Sequence, residues 1–557
     1  MLSPQEDATH SGSTPSSPSV KLDRATVLGV TDPTTNTSQY LGIPFAQPPV
    51  GKLRFQLPQP IPPYASTLDA TKHGKQPVQA NLAAPAIPPG VVLPHEIGEF
   101  LRGLAQDVPQ APQSEDCLTD DGPGGGIRTG LNLNVVVPAG TKPDANLPVA
   151  VWIYGGAFQG GSNAAYTAGG AAIVKRSVEL GQPLIFVSMN YRLGVFGFLG
   201  GKQVQDAGVG NLGLQDQREA LRWIQRYISA FGGDPGKVTI WGESAGAQSV
   251  AYHMVANGGD TEGLFRAAWM QSGAVQPVGE LTKLQATFDL IAREVGCASA
   301  PDVLARLREV PAEELRAAAD KTMSPVFIYQ GVGTLGPHAD GRFLIEDPMQ
   351  LVLKGQVADV PFVIGDCEDE GTLLALTRLD VTTDQQFAEY VKSAYLPTAP
   401  DEAIEVLMHH YPADPAAGSP YGTGDAYAFT PQYKRVAAFM GDWNFEAARR
   451  FFLKHLSGKQ KAWSFVSKRS KVKGLGAVHS TDLQNVFGGG DMADFLIRFV
   501  NTLDPNGGPE IEWPTYDPEA PQLLAFVDGP KSLEIISDTF RKEAMEYLAF
   551  LGLVYPV

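Results

Sequence analysis

In this 557-residue chain, one serine lies in a Gly-x-Ser-x-Gly motif, and its local sequence is typical of a catalytic nucleophile. The motif Gly242-Glu-Ser-Ala-Gly246 follows a short apolar run that ends at Trp241, and a helix-compatible run follows it. A strand that turns sharply into a helix strains the backbone of the serine, and small neighbours leave the room that such a turn needs. We therefore predict a nucleophile elbow that holds the Ser244 hydroxyl clear of a sheet.

A serine nucleophile needs a base, and the base needs an acid that orients it. In α/β-hydrolases these groups follow in the chain order Ser, Asp or Glu, His. Four carboxylates follow the strand-like segment 362–365: Asp366, Glu368, Asp369 and Glu370. Spacing alone does not choose among them. His479 lies in a loop of small residues after the strand-like segment 462–466, and it is the candidate base.

His338 is the main rival to His479 among the nine histidines. It lies in Gly336-Pro-His-Ala-Asp-Gly341, which precedes the candidate acid strand and therefore has the wrong chain order. His253 is expected to pack within the helix that follows the serine. The sequence thus favours His479 as the base.

A glycine-rich loop offers donors for the negative charge that develops in acyl transfer. The segment Trp152-Ile-Tyr-Gly-Gly-Ala-Phe158 follows an apolar run and carries main-chain N–H groups at Gly155, Gly156 and Ala157. Glycine lets a substrate carbonyl approach the backbone closely. Ala245, at the predicted helix N-terminus, adds a further N–H beside the serine. These positions predict an oxyanion hole.

Charge and hydropathy limit the kinds of partner. The chain has 43 Lys and Arg against 60 Asp and Glu, so its formal net charge is −17. This charge disfavours nucleic acid and anionic membrane surfaces as partners. No apolar run approaches the roughly 18 residues of a membrane span, which predicts a soluble protein. Residues 1–20 lack the basic and apolar regions of a signal peptide and are predicted to form a disordered lead-in.

The three cysteines, Cys117, Cys297 and Cys367, are far apart and form no C-x-x-C motif. This spacing gives neither a disulfide framework nor a zinc site, and we expect no metal and no cofactor. A redox or metal role for Cys367 would need partner ligands, so we expect it to pack as a small apolar residue. The cysteine pattern favours an intracellular location, the alternative being a secreted protein whose signal peptide has been removed.

Strand-like and helix-like runs alternate from Lys21 onward, which predicts an α/β fold with a mostly parallel central sheet and helices on both faces. Segments 148–154 and 184–189 are almost continuously apolar, as in strands buried on both sides. Between residues 214 and 228 the apolar residues recur at helical spacing. Further strands are predicted at 268–271, 362–365 and 462–466, and further helices at 281–308, 433–455 and 533–551.

A tract at 77–113 is rich in proline and alanine and contains one amphipathic piece, 95–104. Its apolar residues recur at helical spacing: Ile97, Phe100, Leu101 and Leu104. A helix of about ten residues with two internal glycines is marginal unless its apolar face is packed. The spacing leaves two alternatives open: a flap that covers an apolar site, or a packed surface helix.

Seven short blocks occur along the chain in a specific order. They are Leu41-Gly-Ile-Pro-Phe-Ala46, Ser114-Glu-Asp-Cys-Leu118, Trp152-Ile-Tyr-Gly-Gly-Ala-Phe158, Asn190-Tyr-Arg-Leu-Gly-Val-Phe-Gly-Phe-Leu199, Gly242-Glu-Ser-Ala-Gly246, Asp369-Glu-Gly-Thr372 and Val478-His-Ser480. This set resembles the type-B carboxylesterases and cholinesterases, and within them the fungal lipases and sterol esterases. The resemblance implies one α/β-hydrolase domain over residues 21–557, with a lid excursion at about 77–113.

The resemblance also assigns roles to the candidate residues. Glu370 would be the acid, completing a Ser-His-Glu triad with Ser244 and His479. The implied oxyanion donors are Gly156, Ala157 and Ala245. The implied structural ion pairs are Arg54–Glu115 and Arg192–Asp216.

The cysteines depart from the resembled lipases. A disulfide at the lid base would need a cysteine near residues 74–79 to meet Cys117, and a second would need a partner for Cys297 near residues 304–307. Neither partner is present. Residues 120–130, rich in glycine and aspartate, look like an insertion.

The predicted function is hydrolysis of carboxylic esters through an acyl-enzyme. The apolar face in the 77–113 tract favours medium- to long-chain acyl or sterol-type esters, a small-molecule or lipid substrate that allows contact with a lipid interface. One alternative is a short-chain soluble carboxylesterase. Another is a non-catalytic cholinesterase-like binding protein, which would be expected to lack triad residues. The sequence does not set the oligomeric state.

Overall fold

The computed structural model of the protein describes residues 17–81, 87–106, 113, 130–322 and 333–557. Several sequence predictions concern residues outside these ranges. They are Glu115, Cys117, most of the 1–20 lead-in, residues 82–86 and 107–112 of the 77–113 tract, and all but the last residue of the 120–130 insertion.

The described residues form strands and helices that alternate along most of the chain. The strands are β1 Ser19–Leu22, β2 Ala25–Leu28, β3 Val30–Asp32, β4 Thr37–Pro44, β5 Leu68–Asp69, β6 Asn132–Pro138, β7 Leu147–Ile153, β8 Ile185–Met189, β9 Gly233–Glu243, β10 Ala267–Gln271, β11 Phe362–Cys367, β12 Ala462–Lys468, β13 Gln522–Val527 and β14 Leu533–Ser537. The α-helices are α1 His95–Gln106, α2 Thr167–Glu179, α3 Gly194–Phe198, α4 Lys202–Ala207, α5 Leu212–Tyr227, α6 Ala245–Val255, α7 Gln285–Glu294, α8 Val303–Leu307, α9 Ala312–Thr322, α10 Pro348–Leu353, α11 Gly371–Ala375, α12 Asp384–Ala394, α13 Asp401–His410, α14 Tyr433–Gly441, α15 Ala447–Leu456, α16 Leu483–Phe487, α17 Asp491–Thr502 and α18 Lys542–Val554. A π-helical turn, Asp442–Glu446, joins α14 to α15. Short 3₁₀ turns occur at Gly51–Leu53, Asn163–Tyr166, Ile228–Phe231, Ala256–Gly259, Leu281–Leu284, Leu376–Arg378 and Pro415–Ala417.

A large mixed sheet organises the molecule. Its order in the described part of the chain is β14-β13-β12-β11-β10-β9-β7-β8-β6-β4-β3. The seven strands from β13 to β8 run parallel, and antiparallel strands complete both edges. Strands β1, β2 and β5 form a separate small sheet. Within the residues that the structure describes, β1 begins at Ser19, before the predicted boundary at Lys21.

The central strands are apolar because the sheet is covered on both sides. Every residue of β8 and β10 is buried, as are all but the first residue of β7. One group of helices, α2, α16 and α17, packs together against the sheet, and a second group includes α5, α6, α10 and α15. This arrangement confirms the predicted α/β class with helices on both faces.

Three predicted helices differ from the structure in their details. The segment 281–308 is divided, because α7 ends near Gly296, whose φ of +68° terminates a helix readily. The segment 433–455 contains the π-helical turn. The prediction of a helix at the start of segment 533–551 is wrong, because Leu533–Ser537 is strand β14, which pairs antiparallel with β13. Its apolar residues pack against a neighbouring strand, which local sequence does not reveal.

Helix α1 is packed on the protein through its apolar face. Ile97 is 1% exposed and belongs to a second hydrophobic cluster, built mainly from α11 to α14 and α18, against which Phe100 and Leu101 also pack. Glu96 pairs with Lys473 at 3.2 Å. In the described residues, no helix has both the length and the apolar character that a membrane crossing requires.

Candidate active site

The candidate residues follow four parallel strands at the same edge of the sheet. Gly156 and Ala157 come after β7, Ser244 after β9, Glu370 after β11 and His479 after β12. Because the strands run in the same direction, their carboxyl ends meet at that edge. Residues far apart in sequence are therefore brought together by the sheet.

Ser244 has the strained backbone predicted for an elbow. Its φ and ψ are 56° and −126°, in the single-residue turn between β9 and α6. A side chain at Gly242 would place its Cβ 2.4 Å from the carbonyl carbon of Gly246, and a Cβ at Gly246 would lie 2.0 Å from the Ile153 carbonyl oxygen. The flanking glycines are required because backbone occupies the space of any side chain there.

His479 and Glu370 form a buried hydrogen-bonded pair. His479 Nδ1 lies 2.5 Å from Glu370 Oε2. The other carboxylate oxygen of Glu370 accepts the main-chain N–H of Cys367 at 2.6 Å. These two contacts fix the carboxylate and hold the imidazole ring, with Nδ1 as the donor.

The other three carboxylates of this segment have different partners. Asp366 pairs with Arg449 at 2.7 Å, and Glu368 pairs with Lys468 at 2.7 Å. Asp369 accepts hydrogen bonds from the Ser419 hydroxyl and from the main-chain N–H groups of Tyr421 and Ala477. The structure thus separates four acids that spacing alone left equivalent.

Asp369 also ties together the two loops that carry Glu370 and His479. Its side chain accepts the Ala477 N–H at 3.0 Å, and its own N–H donates to the Ala477 carbonyl at 3.0 Å. A Cβ at Gly476 would lie 2.1 Å from Asp369 Oδ2, so the contact is close. Asp369, which the sequence offered only as a candidate acid, thus positions the two loops, a contact that its local sequence does not indicate.

A second carboxylate, Glu243, faces the other ring nitrogen of His479 and was not among the residues predicted from the sequence. Glu243 Oε1 lies 3.4 Å from His479 Nε2 and also accepts the Ser480 hydroxyl. Burial raises the pKa of Glu243 to about 7, with a further contribution from Asp482 and an opposing one from His479. Its position directly before Ser244 is the signal that could have drawn attention to it.

The protonation of His479 depends on both acids. Burial by itself lowers the pKa of His479, but the negative charges of Glu370 and Glu243 outweigh burial and raise the pKa to about 9. The imidazolium is therefore stabilised by a carboxylate at each ring nitrogen.

The oxyanion candidates border the serine. Gly156 and Ala157 both have positive φ, 106° and 55°, and a Cβ at the adjacent Gly155 would lie 2.8 Å from Ser244 Cβ. Within the described residues, the N–H groups of Gly156, Ala157 and Ala245 have no protein acceptor. They are available to a ligand oxygen beside Ser244.

A pocket opens beside Ser244. Its walls include Ala157 and Ala245 and the apolar side chains of Phe158, Tyr252, Val278, Trp443 and Phe445. Phe445, in the π-helical turn, also packs on the His479 ring with centroids 4.6 Å apart. No hydrogen bond joins Ser244 to His479 among the described contacts. Such contacts often tighten only when substrate binds.

The remaining predicted residues occupy other positions. His338 lies in the pocket wall and bonds to the Gly336 carbonyl, without a carboxylate partner among the described residues. His253 is buried within α6, with Nε2 2.9 Å from Gln217 Oε1. The Arg192–Asp216 ion pair is present at 2.7 Å, whereas the Arg54–Glu115 pair involves a residue outside the described ranges.

Cys297 and Cys367 are buried and form no disulfide in the part of the chain that the structure describes. Cys367 ends β11, and its sulfur lies 3.8 Å from the Thr481 hydroxyl oxygen. Burial raises the pKa of the Cys367 thiol well above its usual range, so it packs as a neutral group.

The parallel sheet, the strained serine between β9 and α6, and the loops that converge beside it define an α/β-hydrolase. A family model described as "Carboxylesterase family" matches residues 16–547. The chain belongs to the carboxylesterase family, and its relatedness to proteins named as lipases identifies it as a carboxylic ester hydrolase.

Two curated relatives and one solved structure illustrate this membership. The chain is 40% identical to Lipase 4 of Diutina rugosa over 496 residues, covering 86% of each chain. It is 35% identical to Secreted triacylglycerol lipase LIP1 of Gibberella zeae over 554 residues, covering 95% of this chain and 90% of the relative. The crystal structure of Aspergillus niger EstA matches with a TM-score of 0.78 at 25% identity, over 97% of this chain and 99% of that one.

Proposed function

We propose that this protein hydrolyses carboxylic esters through an acyl-enzyme on Ser244. His479 acts as the general base and then as the general acid, and Glu370 fixes its orientation. The observation that carries this proposal is the 2.5 Å hydrogen bond between His479 Nδ1 and Glu370 Oε2 at the sheet edge where β9 presents Ser244. It leaves His479 Nε2 as the nitrogen that exchanges a proton with the serine.

The reaction proceeds in two similar halves. Ser244 Oγ attacks the ester carbonyl carbon while His479 Nε2 takes the hydroxyl proton. The N–H groups of Gly156, Ala157 and Ala245 bind the oxyanion, and His479 then protonates the leaving alcohol. Water attacks the acyl-enzyme by the same route, which releases the acid and restores Ser244. Loss of one oxyanion donor typically lowers kcat by about 10²–10³.

The substrate that we propose is an ester with a medium to long acyl chain or a bulky apolar alcohol. Phe158, Tyr252, Val278, Trp443 and Phe445 give the pocket an apolar wall, which supports an apolar substrate group. Two fungal relatives that are named as lipases support the same substrate class. Helix α1 and its flanking tract would act as a lid over this region.

The test is hydrolysis of para-nitrophenyl esters from acetate to palmitate, below and above the concentration at which each substrate aggregates. Ser244→Ala should remove nearly all turnover at every chain length, because the nucleophile is lost. Ser457→Ala, a serine of the α15 C-terminus outside the pocket, is the matched control.

Each outcome of the series has a defined meaning. A long-chain optimum that rises when the substrate aggregates would support a lipase whose lid opens on lipid. An optimum at short chains with simple saturation would replace this substrate class with short soluble esters. Turnover by folded Ser244→Ala equal to that of the wild type would contradict the mechanism itself.

A further inference from the structure

The pocket beside Ser244 contains polar side chains that the proposed reaction does not use. His338, Gln276 and Asn444 line it together with the apolar residues, and they are 8%, 2% and 1% exposed. Each of these side chains donates one hydrogen bond to a main-chain carbonyl. A second atom of the same side chain can accept a hydrogen bond and has no donor among the described residues.

His338 presents a bare ring nitrogen. Its Nδ1 lies 3.0 Å from the Gly336 carbonyl oxygen, and since a carbonyl accepts, Nδ1 must carry the hydrogen. Burial lowers the pKa of His338 to about 4, so the ring is neutral at neutral pH. Nε2 is therefore an acceptor, and in the described part of the chain no group donates to it.

The two amides are oriented in a similar way. Gln276 Nε2 donates to the Asn444 carbonyl at 2.8 Å, and Asn444 Nδ2 donates to the Met440 carbonyl at 2.8 Å. These bonds fix which end of each amide is oxygen. Gln276 Oε1 and Asn444 Oδ1 remain buried, and neither has a hydrogen-bond partner among the described residues.

Buried acceptors without donors carry a free-energy cost, which a bound group that brings donors would remove. A hydroxyl group is a donor of suitable size. A wholly apolar pocket would disfavour the same hydroxyl, because burying it unpaired is unfavourable. A substrate hydroxyl should therefore raise kcat/KM in a pocket with unpaired acceptors and lower kcat/KM in a wholly apolar pocket.

We propose that this pocket selects esters that carry a hydroxyl away from the scissile bond, with this hydroxyl donating to His338 Nε2. The inference rests on the proposed ester hydrolysis and refines its substrate class. The hydroxyl has two chemical sources: the acyl chain of a hydroxy acid, or the alcohol part of a partial polyol ester.

Two sets of matched substrates distinguish these sources. In the first, para-nitrophenyl esters of one fatty acid carry hydroxyl, fluorine or hydrogen at the same chain carbon, with the position moved along the chain. In the second, glycerol monoesters are compared with the corresponding propanol and fluoropropanol esters. Fluorine approximates the size and polarity of hydroxyl but cannot donate a hydrogen bond. The measured quantity is kcat/KM for each substrate.

We expect the hydroxylated ester to exceed both analogues by about threefold to tenfold in at least one set, as for a net gain of one hydrogen bond. His338→Phe should reduce this preference, measured as the ratio of kcat/KM for the hydroxylated ester to kcat/KM for its unsubstituted and fluorinated analogues. His455→Phe is the matched control, since His455 lies on α15 outside the pocket.

The wild-type comparison decides the proposal even if His338→Phe does not fold. Equal or lower kcat/KM for hydroxylated esters in both sets would overturn it, while hydrolysis of the unsubstituted esters would leave the proposed function intact. A preference retained in folded His338→Phe would overturn the assignment to His338. No hydrolysis of any ester would overturn the proposed function as well.

Discussion

A carboxylate stands at each nitrogen of the His479 ring. Glu370 lies 2.5 Å from Nδ1, and Glu243 lies 3.4 Å from Nε2. The first contact orients the ring, whereas the second stabilises a proton on the nitrogen that would accept one from Ser244 in the proposed reaction. Together they raise the pKa of His479 to about 9 despite its burial. The free enzyme therefore holds its proposed base mainly as imidazolium at neutral pH.

This protonation predicts a pH profile. Because the base must be neutral to accept a proton, kcat/KM should rise with pH up to about pH 9. Glu243→Gln removes one negative charge, so the pKa of His479 should fall and the acid limb should move to lower pH. The measurement is kcat/KM against pH for a para-nitrophenyl ester.

Glu368→Gln is the matched control for this prediction. Glu368 lies in the acid loop but pairs with Lys468 and Lys471. Its replacement should leave the pH dependence of kcat/KM on the acid side of the optimum unchanged. The account of His479 would be contradicted if Glu243→Gln and the wild type had the same acid limb.

The assignment of Glu370 as the triad acid shows how much of the candidate site could be predicted from the sequence. The sequence motif predicted Ser244, and chain order favoured His479, since both depend on local pattern and order along the chain. Glu370 was selected by family resemblance, because nothing in its spacing separates it from Asp369. Glu370 and Asp369 differ in their hydrogen-bond partners: Asp369 accepts hydrogen bonds from two main-chain N–H groups and one hydroxyl of distant segments. Such contacts depend on tertiary folding.

At the scale of elements, the elbow depends on the close approach of α6 to β7. A side chain at position 246 in place of Gly246 would put its Cβ 2.0 Å from the carbonyl oxygen of Ile153, which belongs to the central sheet. A flexible side chain could move away, but a strand backbone can move only by disturbing its neighbours.

Gly246→Ala is therefore expected to lower both stability and activity. Overpacking of this kind typically costs about 1–3 kcal/mol in the free energy of unfolding, and a displaced elbow would misplace Ser244. Thermal unfolding and kcat measure the two effects. Gly458→Ala is the control, because a Cβ at Gly458 meets no atom within 4 Å. Equal losses in the two variants would contradict this account of the elbow.

Elements were predictable where the local pattern agreed with the tertiary setting. The buried strands β7 and β8 and the amphipathic helix α5 appear close to their predicted bounds. Strand β14 was predicted as helix because its pairing with β13 is a long-range contact. The π-helical turn that brings Phe445 to His479 likewise leaves no periodic signal in the sequence.

At the scale of the molecule, α1 links the tract before it to the loop that carries His479. Glu96 pairs with Lys473, and a Cβ at Gly474 would lie 3.0 Å from Pro94 and 3.3 Å from Ile97. Helical spacing could not distinguish a flap from a packed helix, because both need an apolar face. In this structure the helix is packed, and its opening on lipid remains part of the proposed function.

The proposed function requires Ser244 to be an activated nucleophile, a claim that covalent labelling can test. A fluorophosphonate probe should bond through phosphorus to Ser244 Oγ with loss of fluoride, and mass spectrometry should find the adduct on the peptide containing Ser244. Ser244→Ala should not be labelled, and His479→Ala should be labelled much more slowly. Folded wild-type protein that takes no label, or that is labelled at a site retained in Ser244→Ala, would contradict the claim.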